Sequence, residues 1–588
     1  MNVFDYIKLE ENNYRTVRVP LTSSKDWNMK EHIERCTNVA NAWYHQGNND
    51  GLRPYDDIVT PVINVGFRSE GFDVKDIVPF VDDAENSYKS FLIKKFHPQW
   101  ARKNELDTFI DDVVESSVIY DLVLVKNINN ARPELVDLKT LAFCDQTDVM
   151  AGPICIMHQL TTGEITEFKG KWIDSAIDQT ITLAQAKKKV AIAQDRQVQT
   201  PGKYIACYEL RGNLPESWEK EGGDPNKYTP QMHVVTYYKD DSGKDQGITL
   251  YSGPDKPLSE NFKALKIDRV RSKGRACGRS IVETLFEPQV WNNYSAQKIK
   301  KLLDAAITIF QTDSEELANQ KLTELPNNTI LKHENGKPIT KVDGNLQNLP
   351  AFQNQQIKMA NDARTLGSAS DAQLGNNPVS GTPFALQQLV VQQGQGFHEY
   401  RQGKIATFFA DILYRDWILK YLVDEMNNGM NFSEELTLDE MTEVYTKMAE
   451  HHAEEQIIAT IKRTGKVPTK QDRVQIIETL KEQYMKGGQR GFFEIVKNEL
   501  KTIPISVMVN IKGKQRYMAQ NADKISNLLK QVISNPQAFS QMPGIAKAFN
   551  QLLEESGMSA IDFTQVTTAP EQPAPSTTPA TTDQLATA

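Results

Sequence analysis

Between Arg364 and Met426 the chain changes character once, and that change limits what can surround it. Residues 364–381 include Gly367, Gly375, Asn376, Asn377 and Pro378, which accept positive φ or disfavour a preceding helical residue, so this part reads as a loop. Thr382-Pro383 then offers a hydroxyl cap and a proline at the first helical position. Beyond it Leu386, Val390, Phe397, Phe408, Ile412 and Trp417 keep helical spacing, while Arg401, Lys404, Arg415 and Lys420 carry charge. Gly394, Gly396 and Gly403 each cost such a helix about 1 kcal/mol relative to alanine, so a kink is expected there. A polar loop feeding one very long helix needs a large body to lie across.

The chain has that body. Its 588 residues suggest three or four domains or layers, and 39% hydrophobic with 24% charged residues is ordinary for a soluble globular protein. With 67 basic and 76 acidic residues the net charge is −9, so the chain as a whole is not built to grip nucleic acid. No apolar run approaches the ~18 residues of a membrane span, and Met1-Asn2-Val3-Phe4-Asp5 is not a signal-peptide start, so a cytoplasmic setting without membrane is expected. Cys36, Cys144, Cys155, Cys207 and Cys277 are scattered singly and read as packed, reduced thiols.

Read in order, residues 1–55 are polar and irregular apart from a helix around 28–45. Ile58-Val59-Thr60-Pro61-Val62-Ile63-Asn64-Val65 is β-branched and reads as extended. Helices are expected over 82–96 and 106–118, then strands over 119–125, 134–138 and 154–160, the last ending in a Thr162-Gly163 turn. A basic helix over 181–197 holds Lys187, Lys188 and Lys189 on a solvated face, and strands follow over 203–210, 232–239 and 247–252. Asp240-Asp241-Ser242-Gly243 reads as the connection between the last two.

After Gly274-Arg275-Ala276-Cys277-Gly278-Arg279-Ser280 a long helix is expected, with Pro288 in its first turn or kinking it and Trp291, Tyr294, Leu302, Ala305 and Ile309 near one face. Asn335-Gly336 marks a hairpin between 329–333 and 337–342. A second helix over 352–366 then leads to the opening loop. Farther on, helices are expected over 436–461, 472–485, 492–500, 514–533 and 543–553, a strand over 503–511, and a disordered proline- and threonine-rich end.

Catalytic signatures are missing. There is no phosphate-binding Gly-x-x-x-x-Gly-Lys-Ser/Thr, no His-Glu-x-x-His and no Gly-x-Ser-x-Gly. His451-His452 point about 100° apart on a helix and read as solvated rather than as metal ligands. The pairs Asp56-Asp57, Asp82-Asp83, Asp111-Asp112 and Asp240-Asp241 read as solvated acids rather than a two-metal nuclease. No cofactor, metal site or catalytic residue is assigned, and the weight moves toward an assembly or binding protein.

The ordered set of α+β region, helix, small insertion, helix, glycine-rich loop, long kinked helix and helical C-terminal region resembles the portal proteins (head-to-tail connectors) of tailed double-stranded DNA bacteriophages. The residues behind the likeness are the Gly274–Gly278 turn leading to Gln289–Asn293, and Gly375–Leu389. It spans about residues 55–430.

The resemblance implies an α+β, mainly helical protomer with an N-terminal region and wing (1–278), a first stem helix (279–310), a clip (311–350), a second stem helix (351–366), a channel loop (367–381), a long kinked wing helix (382–428), a crown with C-terminal helices (429–563) and a tail (564–588). It implies a ring, usually of twelve copies, at one capsid vertex. Such a ring passes double-stranded DNA, docks the terminase motor and then the head-to-tail adaptor, and meets the major capsid or scaffolding protein. The implied location is the virion, and host cytoplasm during assembly. Expected channel-loop residues are Gly367, Asp371, Gln373, Leu374, Gly375, Asn376 and Asn377; stem charge lies on Lys298, Lys300 and Lys301; clip docking falls to Lys332, Glu334, Asn335, Gly336, Lys337 and Lys341; the bend falls to Gly394, Gly396 and Gly403. Another tail or baseplate component, or a nucleic-acid enzyme with a site made of scattered acids, are the alternatives.

Overall fold

The computed structural model describes residues 2–42, 55–80, 87–129, 132–193, 204–220, 222–239, 244–269, 273–305, 309–311, 340–342, 349–369, 374, 384–427, 438–464, 469–486 and 506–509. Met1–Ile511 forms one compact unit, and the second unit, Lys512–Ala588, lies outside the described residues. Helix outweighs strand, in a mixed α+β arrangement.

The chain opens on a helix where irregular chain was expected. In α1 (Val3–Thr16) the residues Val3, Phe4, Ile7 and Tyr14 form one buried face, and Asn2 caps it through the Asp5 N–H at 2.7 Å. Its many polar residues conceal that face in the sequence. The hairpin β1 (Val19–Thr22) and β2 (Lys25–Trp27) follows, then α2 (Met29–Ala40), capped by Asn28.

The β-branched run is also helical, as α3 (Thr60–Glu70). Asp57 Oδ1 accepts from the N–H groups of Val59 and Thr60, both at 3.0 Å, and Pro61 sits in the first turn. Val62, Ile63, Val65, Gly66 and Glu70 are its buried residues, so packing overrides β propensity. Next come β3 (Ile77–Phe80), α4 (Ser87–Lys103) and α5 (Leu106–Tyr120); α5 takes Ile119 and Tyr120 from the expected strand, leaving β4 as Val123–Lys126.

Strands β5 (Glu134–Leu135), β6 (Leu141–Phe143) and β7 (Ile154–Thr161) lead to α6 (Thr162–Glu167). The expected Thr162-Gly163 turn is the start of α6, because Thr161 and Glu164 form a reciprocal capping box. After α7 (Asp174–Ala193), the strands β8 (Tyr204–Pro215), β9 (Tyr228–Lys239) and β10 (Asp245–Pro254) complete a five-stranded antiparallel sheet in the order β10-β9-β8-β7-β6. The connection 240–243 lies outside the described residues. A short α8 (Leu258–Asn261) precedes β11 (Phe262–Leu265), which joins a three-stranded sheet, β11-β4-β5.

The two expected stem helices are α9 (Ile281–Ala305) and α10 (Leu349–Leu366), and they pack against each other. Helix α9 starts seven residues before Pro288, which is therefore interior rather than in the first turn. It also ends sooner than expected: Ile309–Gln311 is strand β12, paired antiparallel with β13 (Thr340–Val342), Phe310 opposite Lys341. The 329–333 strand and Asn335-Gly336 lie outside the described residues.

Helix α11 (Phe384–Thr407) runs through Gly394, Gly396 and Gly403 without a break. The departure from α geometry comes later, as a π-helical segment over Phe408–Ile418, followed by α12 (Leu419–Asn427). The departure thus falls not at the glycines but in a bulky stretch whose Phe408, Phe409, Leu413, Tyr414 and Trp417 are buried in the core. Helices α13 (Leu438–Thr464) and α14 (Lys470–Lys486) pack together, His452 Nδ1 lying 2.6 Å from the Tyr484 hydroxyl rather than on a solvated face. Last among the described elements, β14 (Ser506–Val509) pairs antiparallel with β3, placing Val509 opposite Ile77. The expected helices over 492–500, 514–533 and 543–553 and the end 564–588 lie outside the described residues.

The end of α10 shows why a glycine stands at 367. Gly367, Ser368 and Ala369 return hydrogen bonds to the carbonyls of Ala363 (2.9 Å), Thr365 (3.2 Å) and Arg364 (2.9 Å), a Schellman terminus. Ser368, not the glycine, takes the left-handed position at φ 53°. Gly367 is needed for space: a Cβ there would lie 2.0 Å from Val62 Cγ1 of α3. Gly367→Ala should therefore lose about 1–3 kcal/mol of stability by overpacking, while Ser368→Gly gains up to about 1 kcal/mol, both read from urea unfolding.

Candidate functional site

The turn before α9 is wired for one conformation. Arg275, buried, donates to both Glu283 oxygens at 2.8 and 2.7 Å and to the Gly278 carbonyl at 3.0 Å, and Ser280 Oγ caps α9 through the Glu283 N–H at 2.9 Å. Gly274 adopts φ 80°. A Cβ at Gly278 would meet Asp121 Oδ2 at 1.5 Å, so only glycine lets this turn close on Asp121.

Above the turn, one aspartate bonds to both α9 and α10. Asn292 Nδ2 donates to the Asp56 carbonyl at 2.8 Å and to its Oδ2 at 3.0 Å; Gln289 Nε2 reaches the same carbonyl at 2.8 Å; Gln356 of α10 donates to Oδ2 at 3.4 Å. Asp56 is exposed and Asp57 half-buried, and both also accept hydrogen bonds that fix local structure. The buried face of α9 includes Leu285, Gln289, Asn292, Asn293 and Ala296, which turns Trp291 and Tyr294 outward together at 49% and 46% exposure. The amide side chains win the inner face because they have partners there.

Glu287, Trp291, Tyr294, Lys298 and Lys301 follow i, i+4, i+7, i+11, i+14 and form one outward stripe. The two rings meet edge to face at 5.9 Å, and Lys298 Nζ lies 5.3 Å from the Tyr294 ring. Lys300 and Lys301 are exposed on the same helix, and Lys341 lies in β13. Leu374 is half-buried against the main core and Gly367 is fully packed. Gly394 lies within α11, and Gly396 and Gly403 face open space. Asp371, Gln373, Gly375, Asn376, Asn377, Lys332, Glu334, Asn335, Gly336 and Lys337 lie outside the described residues.

The sequence reading missed the centre that holds these parts together. The ends of α3, α5 and α10 converge on α11. Arg401, one of the charged residues noted along the helix, is buried: Nε donates to Glu70 Oε1 at 2.8 Å, one terminal nitrogen to Asp121 Oδ1 at 2.7 Å, and the other to the Ser117 carbonyl at 2.8 Å. Gln402 donates to the Gly71 carbonyl at 2.8 Å, and His398 lies between Glu70 and the Gly367 carbonyl. Asp121 is itself left-handed, φ 51°, and its Oδ2 accepts the Asp268 N–H at 2.8 Å. The signal was present: His398, Arg401, Ile405 and Phe408 repeat at i, i+3, i+7, i+10, so Arg401 occupies a core position of the helix.

A second buried network joins the sheets. Glu209 accepts from Lys126 and Arg211, both at 2.6 Å, and lies 2.8 Å from His158 Nε2. Burial alone would raise its carboxyl, but the His158 hydrogen bond and the Lys126 and Arg211 charges hold it far below the usual range. All five cysteines are free and buried. Among the described residues no group of three or more His, Cys, Asp or Glu is placed to hold a metal ion, and no helix is long and apolar enough to cross a membrane. No protein-family model matches the chain, and no curated protein matches it.

Replacing Arg401 by Leu leaves Glu70 and Asp121 buried without their shared cation and should cost about 3–5 kcal/mol in urea unfolding; Lys, lacking the planar fork, should not restore it. A pH effect follows from burial. Desolvation lowers His32, His97 and His233 to about 4, so they stay neutral folded while the unfolded chain protonates them near pH 6.5. Burial, against the pull of Arg401, pushes Asp121 up to about 6, which works in the opposite sense between about pH 4 and 6. Unfolding in that window should take up about two protons net, so the melting temperature should fall as pH is lowered from 6.5 to 4.5, and His97→Phe should flatten the slope by about one proton.

Proposed function

We propose that the chain is the subunit of a portal-like ring, a non-catalytic conduit through which double-stranded DNA passes into and out of a phage capsid. The observation that carries this reading is the α9–α10 pair: two packed helices joined through a small β-containing segment, lashed together by Asp56 and presenting an outward aromatic-lysine stripe. A monomer leaves Trp291 and Tyr294 half in water, and a neighbouring copy in a ring would cover them. The net charge of −9, repeated around a ring, disfavours trapping of a phosphate-rich cargo.

In this reading the described body before Ser280 is the wing, α9 and α10 are the stem, the segment that begins and ends with β12 and β13 is the clip, and α11 with the π-helical segment and α12 spans the wing. The clip docks the terminase motor and then the adaptor, and the ring sits at a capsid vertex against capsid or scaffolding protein after assembly in the host cytoplasm. Purified protein should have a mass of about 0.8 MDa, twelve times 66.4 kDa, and appear as rings with a central hole by electron microscopy. Trp291→Ala with Tyr294→Ala should shift that mass toward the monomer at unchanged circular dichroism. A wild-type monomer, or an open fibre of the tail or baseplate kind, would overturn the proposal.

A further inference from the structure

Along the long helix the inward positions recur every four residues. Gln402, Ala406, Ala410, Tyr414, Ile418 and Leu422 are all buried, while Thr407, Asp411 and Arg415, also four apart, are exposed. At 3.6 residues per turn such a column drifts about 40° at each step, so in an unbroken α-helix Leu422 would end about 200° around the axis from Gln402. The π-helical segment works against that drift. Each i→i+5 hydrogen bond takes one more residue into its turn, as the Leu419 N–H does on the Tyr414 carbonyl.

The two ends of the helix are gripped by different parts of the body. Upstream, Arg401 is bonded to Asp121 and the Ser117 carbonyl, and Gln402 to the Gly71 carbonyl. Downstream, Asp416 accepts from Lys263 of β11 at 2.8 Å, the Tyr421 hydroxyl donates to Asn127 just after β4, and Glu425 accepts from Lys103 of α4. With α winding throughout, one set of grips would be turned away from its partners; the π-helical winding lets both be made. Nothing local imposes it: Thr407 and Leu419 on either side keep α dihedrals, and Phe408–Ile418 contains neither glycine nor proline. The downstream grips are the more accessible, the Lys263 and Asp416 side chains being 22% and 33% exposed against 3% and 0% for Arg401 and Asp121.

We infer that Phe408–Ile418 is a two-state register element, π-wound while Lys263, Asn127 and Lys103 hold the chain beyond it, and rewinding toward α when they let go. Rewinding lengthens the helix and turns α12 about its axis, so loss of grips on one side of the body is read as a rotation of α12 relative to α11. The inference rests on the helix and its partners and is independent of the conduit reading.

Spin labels on the exposed Lys404 and Lys420, neither of which makes a grip, test it by pulsed dipolar distance measurement on the full chain. The steps from 404 to 420 span about 24 Å in a continuous α-helix at ~1.5 Å each, and the tighter rise of π winding makes the span shorter. The wild type should give one short separation. Asp416→Asn with Tyr421→Phe and Glu425→Gln should add a population lengthened toward the α value, and Asp416→Asn alone, at a half-exposed pair, should show the same population in smaller amount. An unchanged separation in every folded variant overturns the inference, and so does a wild type already at the α separation.

Discussion

Three helices end at one place, and something positive must meet them. The last carbonyls of α3, α5 and α10 point toward α11, each end carrying partial negative charge, and Glu70 and Asp121 add two full charges. Arg401, His398 and Gln402 answer with donors from three neighbouring positions of a single helix. The ends of α3, α5 and α10 and the long helix α11 are therefore fixed to one another by polar geometry rather than by apolar contact alone. Apolar packing tolerates sliding; a fork of hydrogen bonds at 2.7–2.8 Å does not.

The same polar network reaches the start of α9 through Asp121. Its carboxylate holds Arg401 on one side and the Asp268 backbone on the other, while its carbonyl accepts from the Gly278 N–H at 3.2 Å. Gly278 is thus bounded by chemistry from two directions: the turn must come close enough to bond, and no side chain fits in the gap. The glycine at 367 meets a comparable limit against Val62. Gly278 lies just before α9 and Gly367 just after α10.

Much of this architecture was legible. The periodicity of residues 106–118, the alternation of 154–160 and 232–239, and the helix, insertion, helix order after Ser280 all reappear, because each is a strong local pattern that tertiary contacts reinforce. The failures share a cause. Residues 58–65 looked extended and residues 1–16 irregular because composition was weighed without knowing that a body waits on one side. The spacing puts Trp291 and Tyr294 near one face but does not say which way that face turns; Gln289, Asn292 and Asn293 take the inner face by bonding Asp56 and one another. Arg401 reads in the sequence only as one charged residue among several, and its place in the core follows from Glu70 and Asp121. Partners decide where polar residues go, and partners distant in sequence are what a single chain of letters hides.

The pairing of β14 with β3 carries a consequence for how the molecule is made. About 430 residues separate the two strands, so at roughly 5–20 residues per second the ribosome needs on the order of 20–90 s to deliver the second after the first. Through that interval Ile77–Phe80 has emerged without its partner strand, and the π-helical segment that also packs against β14 lacks one wall. Among the described residues, the β3 edge is closed only on the arrival of Ser506–Val509, and a nascent chain stalled short of it presents an open strand edge to every other chain nearby.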